Sequence, residues 1–578
     1  MRTIADALAE GLVAQGIERI YSLPGSHMKP LWHALDARGV RVVTARDERA
    51  AVHMAQAEAE LSNRLAVAIL TAGPGITNGV TGLGAAYLDR APVLIVSTRA
   101  PLLQDGMGAL EEIDQLAVVS PLCRAAHAVL EPRHALPRLD LAISAAIGDD
   151  GPPGPAYFEL PSDLFTAPAP RAYAEIRQRT RSVRVPAPAD VEEAAELLHS
   201  ARRPLVIAGR EALAAADVLP RFVDQAGAAY LDTRASRDGS SAAIGSFVPA
   251  VRARAMAEAD LVVTLGRRLD FELGYGSPVV FRDAKAFLRI GRGAEDVSAN
   301  RRGDVELRGD VGLALSALLS VGISAESRDD RWLAELVAEN HRKAERLEER
   351  MATATELDDG LHPHQLLAAV NRIVDEETIV IADGGDILSW ARTGLRAPTY
   401  LDLGAFGCLG TGIPYAVAAS LSNPTRRVIL VVGDGSFGFN AMELETAARE
   451  GARILVVVAN NSAWNIERAD QLENYGGKVL GTELSRCDFG MLARALGVSG
   501  ERVERSADLD AALARALGEV PAVVDVKVSR EPQSADTKSG LAVVPSRHAL
   551  IAWDRDERTW LGEADLSAYR VSSIRPGS

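Results

Sequence analysis

The sequence predicts an α/β protein of three doubly wound domains, each built on a parallel sheet, and three observations carry that prediction. Apolar, β-branched runs of strand length alternate with stretches of helical period along most of the chain. Several of these runs stop at a glycine, as strands do where they hand over to a crossover helix. Two stretches of different composition interrupt the alternation and divide it into three blocks.

The first block extends to about Phe165. Its runs Leu65–Leu70 and Pro92–Ser97 read as strands, and it closes on the segment Pro155–Pro161. Ala167–Ala189 is rich in Pro and Arg with weak periodicity, which marks a linker. In the middle block, Pro204–Gly209 and Ala259–Gly266 read as strands of a Rossmann-like domain. Arg328–Met351 carries opposite charges at helical spacing and reads as an exposed connecting helix. The third block opens near His362 with the strand Thr378–Ala382 running into Asp383-Gly384-Gly385. It continues through Val428–Val432, a helical stretch Asn440–Glu450 and Ile454–Ala459 to Ala522–Val528. The expected domains are residues 1–165, 190–325 and 360–530, with 531–578 a tail and candidate active-site cover.

A chain of 578 residues is long enough for about three cores. Its net charge of −15 argues against nucleic acid or an anionic membrane as the main partner, because like charges repel. The three cysteines, Cys123, Cys408 and Cys487, are scattered without metal-ligand spacing, as expected in a reducing cytoplasm. No apolar stretch is long enough to span a bilayer, and the N-terminus lacks a signal-type core. The expectation is a cytoplasmic enzyme acting on a small molecule.

Chemistry concentrates in the third block. Gly433-Asp434-Gly435-Ser436-Phe437 follows one predicted strand, and Asn460-Asn461 closes the next. The strand ends of such a βαβ unit line the crevice where open parallel sheets bind ligands. Gly433 and Gly435 let a diphosphate approach the backbone. A hard divalent cation such as magnesium wants oxygen donors and keeps phosphate oxygens in its shell. Asp434, Asn461 and the carbonyl of Ala463 supply such donors.

This pairing resembles the diphosphate-binding fingerprint of the thiamine diphosphate enzymes, and an independent constellation in the first block agrees with it. Arg46-Asp47-Glu48-Arg49-Ala50-Ala51 and Gly73-Pro74-Gly75-Ile76-Thr77-Asn78 resemble that family's glutamate-bearing and GPGxTN segments. The resemblance implies that Glu48 hydrogen-bonds the aminopyrimidine and favours the imino tautomer that deprotonates the thiazolium carbon, with Gly73 and Asn78 lining the cofactor. The family usually has His before this glutamate; here Asp47 takes that place. Gly404–Gly410 resembles the segment that holds the aminopyrimidine, which implies Leu409 beneath the bent cofactor and the Gly407 carbonyl accepting from its amine. Asp386, Gly433, Gly435 and Ser436 complete the implied cofactor-binding set. The order of blocks is similar to the acetolactate synthase and pyruvate oxidase branch, so the site is expected between subunits of a homodimer or homotetramer.

The substrate is less sharply written. Leu110-Glu111-Glu112-Ile113-Asp114-Gln115 is similar to a substrate-facing segment of oxalyl-CoA decarboxylases, which makes Glu111 a candidate catalytic group. Arg267-Arg268-Leu269-Asp270-Phe271 resembles the nucleotide-facing stretch of those enzymes and of 2-hydroxyacyl-CoA lyases, with Arg268 the candidate contact; acetolactate synthases have a related segment that meets FAD. The middle domain is thus expected to hold ADP, CoA, FAD or nothing. The arginine that decarboxylases place near the adenosine diphosphate falls at Ser144 here. Ala463-Trp464-Asn465-Ile466-Glu467 puts Glu467 in the loop expected over the thiazolium. His27 aligns with the active-site histidine of benzaldehyde lyase and suits a proton shuttle for a 2-hydroxyl group. His53, His362 and His364 read as structural. The leading expectation is cleavage of a 2-hydroxyacyl-CoA to an aldehyde or ketone and formyl-CoA. Acetolactate synthesis from pyruvate is the runner-up, followed by a benzaldehyde-lyase-like carboligase and a non-catalytic paralogue.

Overall fold

The computed structural model describes residues 2–170, 176–233 and 243–534, without the side chains of 213, 214 and 474. Residues 535–578, most of the expected tail, lie outside the described residues. Three parallel sheets carry the chain. The first holds β1 (Arg19–Ser22), β2 (Arg41–Thr44), β3 (Ala66–Leu70), β4 (Val93–Arg99), β5 (Ala125–Ala128) and β6 (Ala156–Pro161), in the order β2-β1-β3-β4-β6-β5. The second holds β7 (Pro204–Ala208), β8 (Ala229–Asp232), β9 (Leu261–Leu265), β10 (Ala286–Gly291) and β11 (Val305–Arg308), in the order β11-β10-β9-β7-β8. In the third, β12 (Ile379–Asp383), β13 (Thr399–Asp402), β14 (Val428–Gly433), β15 (Ile454–Asn460), β16 (Ser499–Val503) and β17 (Ala522–Lys527) repeat the first sheet's order as β13-β12-β14-β15-β17-β16.

The central strands are buried on both faces, which is why β3, β14 and β15 read as unbroken apolar runs instead of alternating patterns. The first and third sheets share one apolar core. Ala50, Ala51, Met54 and Ala55, from the helix Glu48–Ser62, belong to the same cluster as Tyr415, Ala416 and Ala419 from the helix Gly412–Ser422. Small side chains on both helices allow this close approach.

Two local expectations change. The stretch Asn440–Glu450 is not one helix: Asp434–Asn440 winds directly from the end of β14, and Glu443–Glu450 follows after a break at Ala441-Met442. The charged connecting helix, Asp330–Thr353, is exposed on one face only. Its other face buries Trp332, Leu336 and Met351, and Asn340 accepts from the Ala250 N–H at 2.9 Å. No helix among the described residues is long and apolar enough to cross a membrane.

Candidate active site

Each sheet has one place where the strand order reverses, and strand carboxyl ends there open a crevice. In the third sheet it lies between β12 and β14. Asp434 opens its helix at the end of β14, and the main-chain N–H groups of Ser462 and Ala463 donate to its carboxylate. Burial pushes that carboxyl up to about 7 against those N–H groups, so a cation placed beside it would favour its ionised form. Gly435 admits no larger residue, because a side-chain carbon there would stand 2.4 Å from the Trp464 ring.

Across the crevice, Asp386 is half-buried, and its desolvation raises its pKa. It accepts from Asn465 Nδ2 at 2.7 Å, Trp390 Nε1 at 3.1 Å and Asn461 Nδ2 at 3.5 Å. Its carboxylate thereby aims two asparagines. The amide oxygens of Asn461 and Asn465 are both buried and accept no hydrogen bond. Two such oxygens in the turn that contacts Asp434 form an oxygen-only donor set. That set fits a hard divalent cation shared with a diphosphate. It contains one carboxylate, in keeping with the absence of a cluster of three His, Cys, Asp or Glu ligands among the described residues. Asn465 was not singled out in the sequence; its sharing of Asp386 Oδ2 with Asn461 appears only on folding.

Asp383 was likewise not chosen. Its buried carboxyl, pushed up to about 6 by burial, accepts from Gly412 N–H at 2.8 Å, Gly410 N–H at 3.1 Å and the Ser436 hydroxyl. It thereby ties the end of β12 to the helix carrying Asp434 and to the loop carrying Gly407 and Leu409. Leu409 packs on Ala382, Leu388, Ala391 and Leu403. The same loop docks on the first block, where Ala405 N–H donates to Asp89 at 3.1 Å. Ser436, buried, thus closes a loop: its hydroxyl donates to Asp383 and accepts from Gly410 N–H at 3.0 Å. Ala463 is buried and bridges to Glu483, whereas Glu467 is exposed in the first turn of the helix Asn465–Asn474.

In the first sheet the reversal lies between β1 and β3. The end of β1 leads to His27 and the end of β3 to Thr71 and Gly73. Glu48 starts its helix because Asp47 caps it, accepting from Arg49 N–H at 2.8 Å; this is the task of the aspartate that departs from the family pattern. The Glu48 carboxylate is buried and accepts from Asn78 Nδ2 at 3.1 Å. Glu111 lies nearby, since Thr71 and Glu48 both border Gly75. Its Oε2 accepts from the Thr71 hydroxyl at 3.3 Å and stands 3.4 Å from His27 Nδ1. Glu111 adopts φ of +63° with its carbonyl against Gly73, which itself has φ of +57°. A side-chain carbon on Gly73 would meet the Glu111 carbonyl at 2.6 Å. Gly73→Ala should therefore destabilise the fold by about 1–3 kcal/mol and displace Glu111, seen as a lowered Tm together with a lowered kcat. Gln115 holds this arrangement: its Oε1 accepts from Gly73 N–H at 3.0 Å, and its Nε2 donates to Thr98 O at 2.7 Å and Glu159 at 2.8 Å. In the sequence Gln115 is only the last residue of the Leu110–Gln115 segment; its part as a clamp appears on folding.

The middle crevice, between β7 and β9, is closed among the described residues. Gly209 N–H donates to the O of Leu265, the last residue of β9, at 2.8 Å, and a side-chain carbon on Gly209 would stand 2.4 Å from the Gly266 carbonyl, so the chain just past the two strands is in contact. Arg90 reaches in from the first block and pairs with Asp296, with Glu295 at 3.5 Å and with Glu211 at 3.8 Å. Arg268 faces Glu295 at 3.4 Å. The cavity left, about 40 Å³, is lined by Arg90, Arg181, Arg210, Glu211 and Arg292 among others. It has room for water and not for a nucleotide, whose pockets run to several hundred Å³.

Comparison with known proteins agrees with the two outer sites. Residues 2–118, 191–318 and 383–526 match the N-terminal TPP binding domain, the central domain and the C-terminal TPP binding domain of thiamine pyrophosphate enzymes. The chain is 32% identical over 530 residues to the acetolactate synthase large subunit IlvG of Mycobacterium tuberculosis, covering 90% of this chain and 94% of that protein. It is 30% identical over 542 residues to the 2-hydroxyacyl-CoA lyase 2 of Homo sapiens, covering 86% and 84%. The lyase 2 of Caenorhabditis elegans is 28% identical over 582 residues. With all three domains matched in order and Glu48 and Asp434 at the crevices of the outer sheets, the chain belongs to the thiamine pyrophosphate enzyme family, in its acetolactate synthase-like branch.

Proposed function

We propose that the protein cleaves 2-hydroxyacyl-CoA to an aldehyde or ketone and formyl-CoA. The observation that supports this is the group formed by His27, Glu111 and Thr71 beside Glu48. Breaking the bond between C1 and C2 of such a substrate turns the 2-hydroxyl into a carbonyl, so a base must take the hydroxyl proton, and C1 must gain a proton to leave as formyl-CoA. His27 is the base, and Glu111 orients its imidazole. The proton removed from oxygen equals the one returned to carbon, and the reaction balances without an oxidant. The name 2-hydroxyacyl-CoA lyase among the relatives supports the same reading.

Thiamine diphosphate, when bound, supplies a nucleophilic carbon and an electron sink for the breaking bond. Asp434, Asn461, Asn465 and the Ala463 carbonyl would hold its diphosphate through magnesium, and Gly433, Gly435 and Ser436 would line that diphosphate. Glu48, oriented by Asn78, would bond the aminopyrimidine; the Gly407 carbonyl would accept from its amine and Leu409 would support it. A second copy of the chain completes the site. Exposed apolar residues flank both halves: Leu103, Met107 and Leu110, 87%, 77% and 73% exposed, near Glu111, and Phe439 and Met442 near Asp434. Light scattering should accordingly report a dimer or tetramer.

Protein loaded with thiamine diphosphate and magnesium should release formyl-CoA from a panel of linear and branched 2-hydroxyacyl-CoAs. His27→Ala should lower that kcat about 100-fold. Glu467→Gln should lower kcat more than it raises KM, if its carboxylate meets the reacting carbon; a silent substitution removes it from the mechanism. The second reading, acetolactate synthesis from pyruvate, is favoured by the 32% identical relative of that name. Conversion of pyruvate with no formyl-CoA from any thioester would establish it instead.

A further inference from the structure

We infer that Glu443, in the third block, is a positioning residue for Glu48 across the contact between the two outer sheets. Glu443 is the first residue of the helix Glu443–Glu450 and is 1% exposed. Its Oε1 accepts from the main-chain N–H of Arg46 at 2.9 Å, and its Oε2 accepts from the Thr446 hydroxyl at 2.7 Å. Arg46 lies two residues before Glu48, and the residue between them, Asp47, is the cap on which the start of the Glu48 helix depends. One carboxylate of the third block therefore grips the main chain from which the first block presents its catalytic glutamate.

The surrounding contacts make this grip specific. Arg49 Nη2 donates to Asn440 Oδ1 at 3.1 Å and Phe439 O at 3.2 Å, and Arg449 Nη1 donates to the Thr44 hydroxyl at 2.8 Å. Those bonds flank the Glu443 contact: the first two join the helices that carry Glu48 and Asp434, and the third joins the Glu443 helix to the end of β2. The Arg46 guanidinium turns to Glu445, 3.7 Å away, and leaves only its N–H for Glu443. Burial pushes the Glu443 carboxyl up to about 7, with Asp47 raising it further and Arg449 opposing. Burying such a group is costly unless its partners are fixed, so the geometry of the Arg46–Glu48 turn is tied to an intact contact between the blocks. The placement of Glu48 thus answers to the domain that binds the diphosphate.

This rests on the catalytic role proposed for Glu48, and the test separates the two. Amide hydrogen exchange on the full-length protein, with and without thiamine diphosphate and magnesium, reports the Arg46 N–H directly and needs no substrate. Glu443→Ala should lower protection at Arg46 by at least about tenfold, and kcat by about as much, with KM within about twofold. Glu443→Gln keeps an acceptor for Arg46 and should restore protection to within about threefold of the wild type. If Glu443→Ala does not fold, Glu443→Met fills the volume without offering an acceptor and carries the same expectation. Unchanged protection at Arg46 in the acceptor-less variant overturns the inference, as does lost protection with unchanged kcat. If protection and kcat fall in that variant while Glu48→Gln is fully active, the reading of Glu48 fails and the contact stands.

Discussion

Glu48→Gln should lower turnover by at least about 100-fold while leaving the fold and cofactor retention intact. The substitution is nearly isosteric, and the amide oxygen can still accept from Asn78, so the buried site remains filled and its principal hydrogen bond is kept. What is lost is a group able to share a proton with the aminopyrimidine ring nitrogen. A loss confined to kcat, with a wild-type Tm and wild-type thiamine diphosphate affinity by calorimetry, is the expected signature. Turnover within about threefold of the wild type removes Glu48 from the mechanism.

Asp434→Ala should abolish magnesium-dependent retention of thiamine diphosphate, weakening it by at least about 100-fold, and moderate excess metal should not restore it. Asp434 is the one carboxylate that the proposed donor set brings to the cation, and its carboxyl sits in a buried pocket lined with N–H groups of the turn Ser462–Ala463. Without it the amide oxygens of Asn461 and Asn465 remain, but neutral donors alone hold a hard dication weakly. Unfolding of the metal-free variant at or above the wild-type Tm is compatible with this, since the substitution also removes a buried carboxylate. Calorimetry showing unchanged cofactor affinity would sink the assignment of Asp434 as a ligand.

The glycine-rich turns and the runs before them were legible because each is a local signal: a β-branched run, a stop at glycine, a polar residue at a fixed offset. Asp434 and Asn461 stood out this way, whereas Glu48 stood out only through the family resemblance of the segments around it. Asp47 read as a departure from a pattern, and folding gives it the task of a helix cap. Asp386 entered through the family resemblance, and its partners, Asn465 and Asn461, come from far along the chain. The nucleotide-facing reading of Arg268 rested on a segment whose crevice is closed by Arg90 from another block.

By itself the sequence determined the fold class and the two outer crevices, because apolar period and turn residues act over a few positions, and its motifs carried the resemblance to the family. Only the tertiary structure decided which polar groups are buried and what satisfies them. Asp383, Gln115, Asn465 and Glu443 carry no local mark; each matters because a buried donor or acceptor must find its partner, and for Gln115, Asn465 and Glu443 that partner lies dozens to hundreds of residues away.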